Sequence, residues 1–130
     1  MLAQARERVR DKGWRNVELV ERPAVSFRFP PGVDGILSTF ALTLEPDYDQ
    51  VIQRGAEALR PGRRWVVLDL KLPSNWLRYL APALIVLVRP FAVSAAVAKR
   101  RPWESLHRQL KHVNMQELYF GVAYIAVGEA

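Results

Sequence analysis

Two apolar segments separated by an amphipathic stretch constrain the fold of this chain most strongly. The run GILSTFAL (35–42) is short and continuous, and RWVVLDLKL (64–72) is the most strand-like segment of the sequence. Between them lies EPDYDQVIQRGAEALRPG, where Asp47 or Asp49 can cap a helix and Pro61-Gly62 can end it. A strand–helix–strand order favours a parallel pair of strands and an α/β fold.

The flanking segments extend this pattern. MLAQARERVRDKG (1–13) has apolar residues at helical spacing and a glycine stop, and NVELVE (16–21) alternates as a strand does. PWESLHRQLKHV (102–113) predicts a helix with a proline in its first turn. MQELYFG and VAYIAVGEA (115–130) predict an antiparallel terminal hairpin around Gly121.

Length and composition limit the possible classes of protein. The 130 residues predict a single domain, 1–130, and the absence of cysteine excludes disulfides, Cys-ligated zinc and a Cys nucleophile. The charged, helical start does not resemble a secretory signal, so a cytoplasmic location is expected. The most apolar run, residues 80–88, is shorter than the roughly 20 residues that cross a bilayer.

The net charge of +6 favours anionic partners, either an anionic membrane surface or nucleic acid. The cluster Lys99-Arg100-Arg101 beside the apolar run is one place where lipid headgroups could bind, at the periphery of a membrane. The simpler interpretation is that these arginines lie on solvated faces, and nucleic-acid binding is the less favoured partner class.

Two kinds of catalytic site find no support in the sequence. His107 and His112 are five residues apart on the predicted helix, which does not place both on one face, so no metal site is expected. No GxSxG motif is present, so hydrolase chemistry is not indicated. No catalytic residue is assigned.

Segments covering nearly the whole chain resemble the central and C-terminal part of class I S-adenosylmethionine-dependent methyltransferases. In that family one strand has roughly the sequence pattern FDxVxxxxAL, and the helix after it ends in the pattern LKPGGxxxxxD. The matching letters here are Val33-Asp34-Gly35-Ile36, Phe40-Ala41-Leu42, Leu59-Arg60-Pro61-Gly62 and Trp65 to Asp69. Residues 1–21, MLAQARERVRDKGWRNVELVE, resemble the family's pattern MLxxAxxRxxxxGxxNVxxxxxD. The resemblance implies a truncated Rossmann-like methyltransferase sheet, mainly parallel, with an antiparallel C-terminal hairpin.

The resemblance also implies S-adenosylmethionine as cofactor, with part of its binding site missing. The family's glycine-rich turn and its ribose-binding acidic residue precede the helix that Met1 begins here, and no GxGxG occurs in this sequence. Ser38, Thr39 and Phe40 match the strand end that lies beside the methionine moiety. The adenine-binding acidic residue aligns with Pro23, and Glu21 could replace it from two residues away. Cofactor binding is therefore expected to be impaired or to depend on a partner.

On the acceptor side, Lys71 occupies the corresponding end of the next strand. Residues 74–101, including Trp76, would form a substrate cover, and their apolar character suits an apolar or lipid-like acceptor. Trp103 and Tyr119 could shape the acceptor pocket, although aromatic residues at a helix start and in a hairpin more often pack in a core. Asp69 could face the ligand crevice or hold a neighbouring loop.

The missing strands predict an unpaired sheet edge. In the family's sheet two further strands lie between the segments that match 16–21 and 35–42, so 35–42 becomes an apolar edge. Either 16–21 pairs with 35–42, or two chains join there as a dimer. Three functions remain open: a methyltransferase-family protein, a non-catalytic dimerisation or binding module, and a basic protein that binds a membrane surface or nucleic acid.

Overall fold

Four strands form one mixed sheet in the order β1-β2-β4-β3. The computed structural model describes residues 2–71, 97 and 99–130. In chain order its helices and strands are α1 (Leu2–Asp11), β1 (Val33–Thr39), α2 (Tyr48–Ala58), β2 (Leu59–Leu70), α3 (Pro102–Gln109), β3 (Lys111–Leu118) and β4 (Ala123–Glu129). Short 3₁₀ turns occupy Ala24–Ser26 and Tyr119–Gly121.

The pairing of the strands confirms the predicted α/β class. β1 and β2 are parallel, whereas β4 pairs antiparallel with both β2 and β3. The sheet thus begins with a parallel pair and ends in the predicted antiparallel hairpin. Among the described strands the β1–β2 pairing is parallel and the other two pairings are antiparallel, so the described sheet is mixed rather than mainly parallel.

Helices α2 and α3 cover one face of the sheet. Alternate residues of β2 point to that face, and Trp65, Val67 and Asp69 are buried there. Gly55 of α2 lies directly against Trp65, because a Cβ on this glycine would be 2.4 Å from the Trp65 Cζ3. Leu106 of α3 is also buried in this cluster. This packing fixes β2 as the strand around which the core is built.

The predicted strand at 16–21 is wrong. These residues follow α1 as irregular chain, Val17 and Val20 are exposed, and β1 has no partner other than β2 in the described ranges. The alternating pattern of NVELVE is a strand pattern, but a strand also needs a neighbour for its backbone N–H and C=O groups. The predicted intramolecular pairing of 16–21 with 35–42 is therefore not formed.

The boundaries of α2 and α3 also differ from expectation. α2 ends at Ala58, before Pro61-Gly62, and Leu59 already pairs with Val33 of β1. The proline and glycine lie instead where the parallel register shifts, with Gly62 at φ +75°. α3 ends at Gln109, so the two histidines do not share a helix: His107 is in α3 and His112 is in β3.

Other local predictions are confirmed. α1 stops at Asp11, and Gly13 adopts the expected left-handed conformation at φ +63°. Pro102 begins α3, where its missing N–H has no intrahelical partner to lose. The predicted cover at 74–101 lies outside the described residues except for 97 and 99–101.

Candidate functional site

The carboxyl ends of β1 and β2 meet at one edge of the sheet, here called the carboxyl edge. Because these strands are parallel, their last residues, Thr39 and Leu70, lie at the same edge of the sheet. β4 begins there, with Ala123 opposite Leu70. The turn Tyr119–Gly121 between β3 and β4 lies at the same edge. Open α/β sheets bind ligands at the carboxyl ends of their strands, so this edge is the candidate site.

A buried carboxylate holds the loop that follows β1. Asp69 is 1% exposed, and its Oδ2 accepts the backbone N–H of Thr43 at 2.9 Å. Its Oδ1 accepts the N–H of Leu70 at 2.8 Å, and the Thr43 hydroxyl donates to the Leu70 carbonyl at 3.1 Å. Of the two roles open for Asp69, the structure shows that of holding the neighbouring loop.

Arg100 fixes the same loop from another direction. Its Nη1 donates to the carbonyl oxygens of Thr43 and Leu44, at 3.0 and 2.8 Å. The next residue, Arg101, forms an exposed ion pair with Glu104 at 3.0 Å. Two of the three charges in the basic cluster therefore have partners within the chain. The prediction that the whole cluster is solvated is wrong for Arg100, which binds the loop after β1.

Three aromatic residues at the carboxyl edge have left-handed backbone. Phe40, Tyr119 and Phe120 have φ of +49°, +50° and +58°. They are 49%, 78% and 82% exposed. The Phe40 N–H still donates to the Leu68 carbonyl at 2.8 Å, so β1 stays attached to β2 while its chain turns away. Non-glycine residues rarely adopt this conformation, and bulky ones least of all.

Lys71 lies at this edge, where its side chain contacts both a carboxylate and an aromatic ring. Its side chain is 9% exposed and forms an ion pair with Glu117 of β3. The ammonium lies 5.5 Å from the centroid of the Trp103 ring, and that ring packs edge-on against Tyr124 with centroids 5.4 Å apart. Lys71, Trp103 and Tyr119, predicted separately from the sequence, are thus brought to one edge. Trp76 lies outside the described residues.

The predicted cofactor residues are only partly brought together. Ser38 and Thr39 end β1, but the Ser38 hydroxyl already accepts from the Trp65 Nε1 at 3.0 Å. Glu21 lies outside the sheet, and its exposed carboxylate accepts from Arg6 of α1 at 2.8 Å. In the described residues no glycine-rich turn accompanies them. These groups do not by themselves fit S-adenosylmethionine.

Two buried hydroxyls have no hydrogen-bond partner among the described residues, and sequence reasoning identified neither hydroxyl as unpaired. They belong to Ser105 of α3 and Tyr124 of β4. Burial, together with the Asp69 carboxylate, raises the pKa of Tyr124 well above its ordinary value. The hydroxyl therefore stays protonated and can donate. A tyrosine and an aspartate that face each other on paired strands could be found only once the register was known.

The described part of the chain offers neither a metal site nor a membrane span. No cluster of three or more His, Cys, Asp or Glu side chains in it could hold a metal ion. No described helix has the length and apolar character needed to cross a membrane.

No protein-family model matches the sequence. The chain is 33% identical over 75 residues to the demethylmenaquinone methyltransferase of Listeria welshimeri, a match that covers 57% of this chain and 32% of that relative. The chain thus spans about a third of the length of the curated relatives it matches.

Solved structures give a broader match. An O-methyltransferase family protein from Burkholderia thailandensis superposes on 96% of this chain and 39% of its own, with a TM-score of 0.64 and 21% identity. The N-methyltransferase NodS from Bradyrhizobium japonicum, solved with S-adenosylhomocysteine, covers 98% of this chain and 61% of its own, with a TM-score of 0.63 and 14% identity.

The fold is that of the class I S-adenosylmethionine-dependent methyltransferases, as the sequence motifs predict. The curated relatives in sequence are demethylmenaquinone methyltransferases, and the two solved structures described above are methyltransferases.

Proposed function

We propose that this chain provides the acceptor-binding edge of an S-adenosylmethionine-dependent methyltransferase and depends on a partner for tight cofactor binding. The observation that carries the proposal is the group of exposed aromatic side chains on left-handed backbone, Phe40, Tyr119 and Phe120. They lie where parallel strands present ligand sites, at an edge whose loop is held by a buried carboxylate.

The backbone conformation of these residues supports a binding role. A non-glycine residue in the left-handed region costs on the order of 1–3 kcal/mol and persists where the surrounding structure enforces it. At Phe40 that enforcement comes from the Leu68 carbonyl before the turn, and from Asp69 and Arg100 after it. The result is a strained turn that presents an aromatic ring to solvent, which a core-packing role does not explain.

The chemistry of the edge favours an apolar, aromatic acceptor. Exposed rings offer stacking surfaces, and the Lys71–Glu117 pair places polar groups beside the half-buried Trp103. The curated relatives act on demethylmenaquinone by name, and a quinone-like ring is the acceptor class we carry over to this chain.

Cofactor binding is the part that the chain does not complete. Ser38 offers its backbone but not a free hydroxyl, and Glu21 is paired with Arg6 outside the sheet. We therefore expect groups other than those of the described residues to complete the cofactor site, and no step of methyl transfer is assigned to residues of this chain.

Two titrations test the proposal. Calorimetry with S-adenosylhomocysteine should give no heat at micromolar ligand with this chain alone, and micromolar binding would contradict the dependence on a partner. Menadione, a naphthoquinone, should quench tryptophan fluorescence as it binds. Phe40→Ser with Tyr119→Ser should weaken that binding roughly tenfold, about 1.4 kcal/mol. Val20→Ser, at an exposed valine outside the sheet, is the control, and equal weakening by both would refute the acceptor edge.

A second candidate, a dimerisation module without catalysis, is favoured by the edge of β1 on which no described strand pairs. A membrane-surface or nucleic-acid role has less support, because Arg100 and Arg101 already bind groups of this chain. Salt-dependent binding to anionic vesicles or DNA would be required to revive it.

A further inference from the structure

Strand β1 presents an edge that lacks the usual protection against pairing. β2 lies on one side of it, and no described strand lies on the other. From Gly35 to Thr39 the edge contains neither a charge nor a proline, and Leu37 is 72% exposed. Native edges are commonly protected by lysine, proline or a covering loop, so an apolar edge of this kind is a site for strand addition.

A groove of about 580 Å³ runs beside this edge, at the end away from the carboxyl edge. Its apolar lining includes Leu37 and Val66, which are partners in the β1–β2 register, together with Ile36. Arg63 and Arg64 contribute positive charge to the lining. Asp34 also lines it but is paired with Arg60 and Arg63. Arg64 has no carboxylate partner in the described ranges, which leaves the groove with a positive charge to be matched.

Residues 16–21 have the complementary character. They alternate as a strand, with Val17 and Val20 exposed, yet they pair with no described strand. Glu18 is exposed and has no ion-pair partner among the described residues. A negatively charged strand segment without a neighbour and a positively charged strand edge without a neighbour therefore occur in the same chain.

The connecting loop keeps the segment off its own edge. The Arg54 guanidinium of α2 donates to the Val25 carbonyl, and the Phe29 ring lies 6.3 Å from that of Trp65. Both contacts hold the loop on the face of the sheet that α2 covers. The segment is thereby displaced from β1 of its own chain while its valines remain accessible to another.

We propose that residues 16–21 of a second copy of this chain add as a strand to β1 and cover the groove, with the exchange made reciprocally. A two-fold arrangement pairs both segments and both edges and closes without further association. Glu18 of each copy lies near Arg64 of the other. This interaction surface lies along β1, away from the acceptor residues at the carboxyl edge, so loss of the dimer and loss of acceptor binding are measured separately.

Sedimentation over a range of concentrations tests the association. A dimer is expected, and Leu37→Lys should raise its dissociation constant roughly tenfold or more, because it places a charge in an apolar pairing surface. Tyr119→Lys replaces a similarly exposed side chain at the carboxyl edge and should leave the dimer intact. A monomer at every concentration, or equal loss in both variants, would overturn the proposal.

Charge reversal and crosslinking test the assignment of the segment. Glu18→Arg should weaken the dimer, and Glu18→Arg combined with Arg64→Glu should restore it. The natural chain has no cysteine, so Val20→Cys and Leu37→Cys chains can be mixed and treated with a short bis-maleimide. Crosslinks between the two variants are expected. Crosslinks confined to pairs of Leu37→Cys chains would show edge-to-edge pairing of β1 instead and refute the exchange.

Discussion

Asp69 and Thr43 are joined at the carboxyl edge, where the Asp69 Oδ2 accepts the Thr43 backbone N–H at 2.9 Å. The bond connects the end of β2 to the loop after β1, and the same carboxylate also accepts from Leu70. One side chain thus supplies acceptors for a buried and a half-buried backbone donor, and the shape of the candidate site depends on it.

Asp69→Ala should therefore destabilise the fold. The substitution leaves the buried Thr43 N–H and the half-buried Leu70 N–H without their acceptor, at a cost of roughly 2–4 kcal/mol. Urea denaturation followed by circular dichroism measures the loss. Asp49→Ala, which removes an exposed carboxylate paired with Arg108, is the control and should cost less than about 1 kcal/mol. Equal losses in the two variants would show that Asp69 does not hold the loop.

Gly55→Ala should destabilise the protein although alanine is the better helix former. The new Cβ would lie 2.4 and 2.6 Å from two atoms of the Trp65 ring. Overpacking of this kind costs about 1–3 kcal/mol, more than the roughly 1 kcal/mol that alanine gains in helix propensity. Thermal unfolding should show a lower midpoint, and a second change, Trp65→Leu, should make Gly55→Ala nearly harmless. A stabilised single variant would contradict the close packing of α2 on β2.

Tyr124→Phe should change how stability depends on alkaline pH. Because the folded-state pKa of Tyr124 lies above its ordinary value of 10.0, the unfolded chain loses this proton first as the pH rises. The stability of the natural chain should then fall above pH 10.0, by up to about 1.4 kcal/mol per pH unit from this group.

The phenylalanine variant should lack this contribution and be no less stable at neutral pH, because the hydroxyl has no partner among the described residues. Urea midpoints at several pH values measure the slope. Tyr119→Phe is the comparison, since that side chain is exposed. An unchanged slope in Tyr124→Phe would show that the buried hydroxyl does not titrate differently in the two states.

Phe40→Asn should separate stability from acceptor binding. Asparagine tolerates a positive φ better than phenylalanine does, so the strain at φ +49° is relieved by on the order of 1 kcal/mol. Unfolding measurements should show equal or greater stability, whereas menadione quenching should weaken. Greater stability with undiminished quenching would mean that the ring takes no part in binding.

The helical and core elements were predictable because their signals are local. The apolar stripe of α2, Pro102 at the start of α3 and the alternation along β2 each depend on neighbouring residues alone. Residues 16–21 carry an equally good local pattern, yet they form no strand, because pairing depends on a neighbour elsewhere in the chain. Local pattern indicates what a segment can form, and the sheet determines whether it does.

The candidate site was predictable in position but not in its contacts. Family motifs indicated the ends of β1 and β2, and Lys71, Trp103 and Tyr119 do lie at that edge. For Asp69 the sequence left two roles open, and the role of Arg100 could not be derived, because the backbone groups that these side chains hold in the loop after β1 are at least 26 residues away in sequence. Nor does any residue pattern predict a positive φ at Phe40, which results from the loop being held on both sides.

The position of β2 at the junction of the two kinds of pairing has a consequence for cooperativity. It is parallel to β1 on one side and antiparallel to β4 on the other, and it carries Trp65 and Val67 into the core. Neither the β1–α2 unit nor the terminal hairpin can open fully without freeing one side of this strand. Amide hydrogens of β2 should therefore exchange with solvent last, and only through opening of the whole domain.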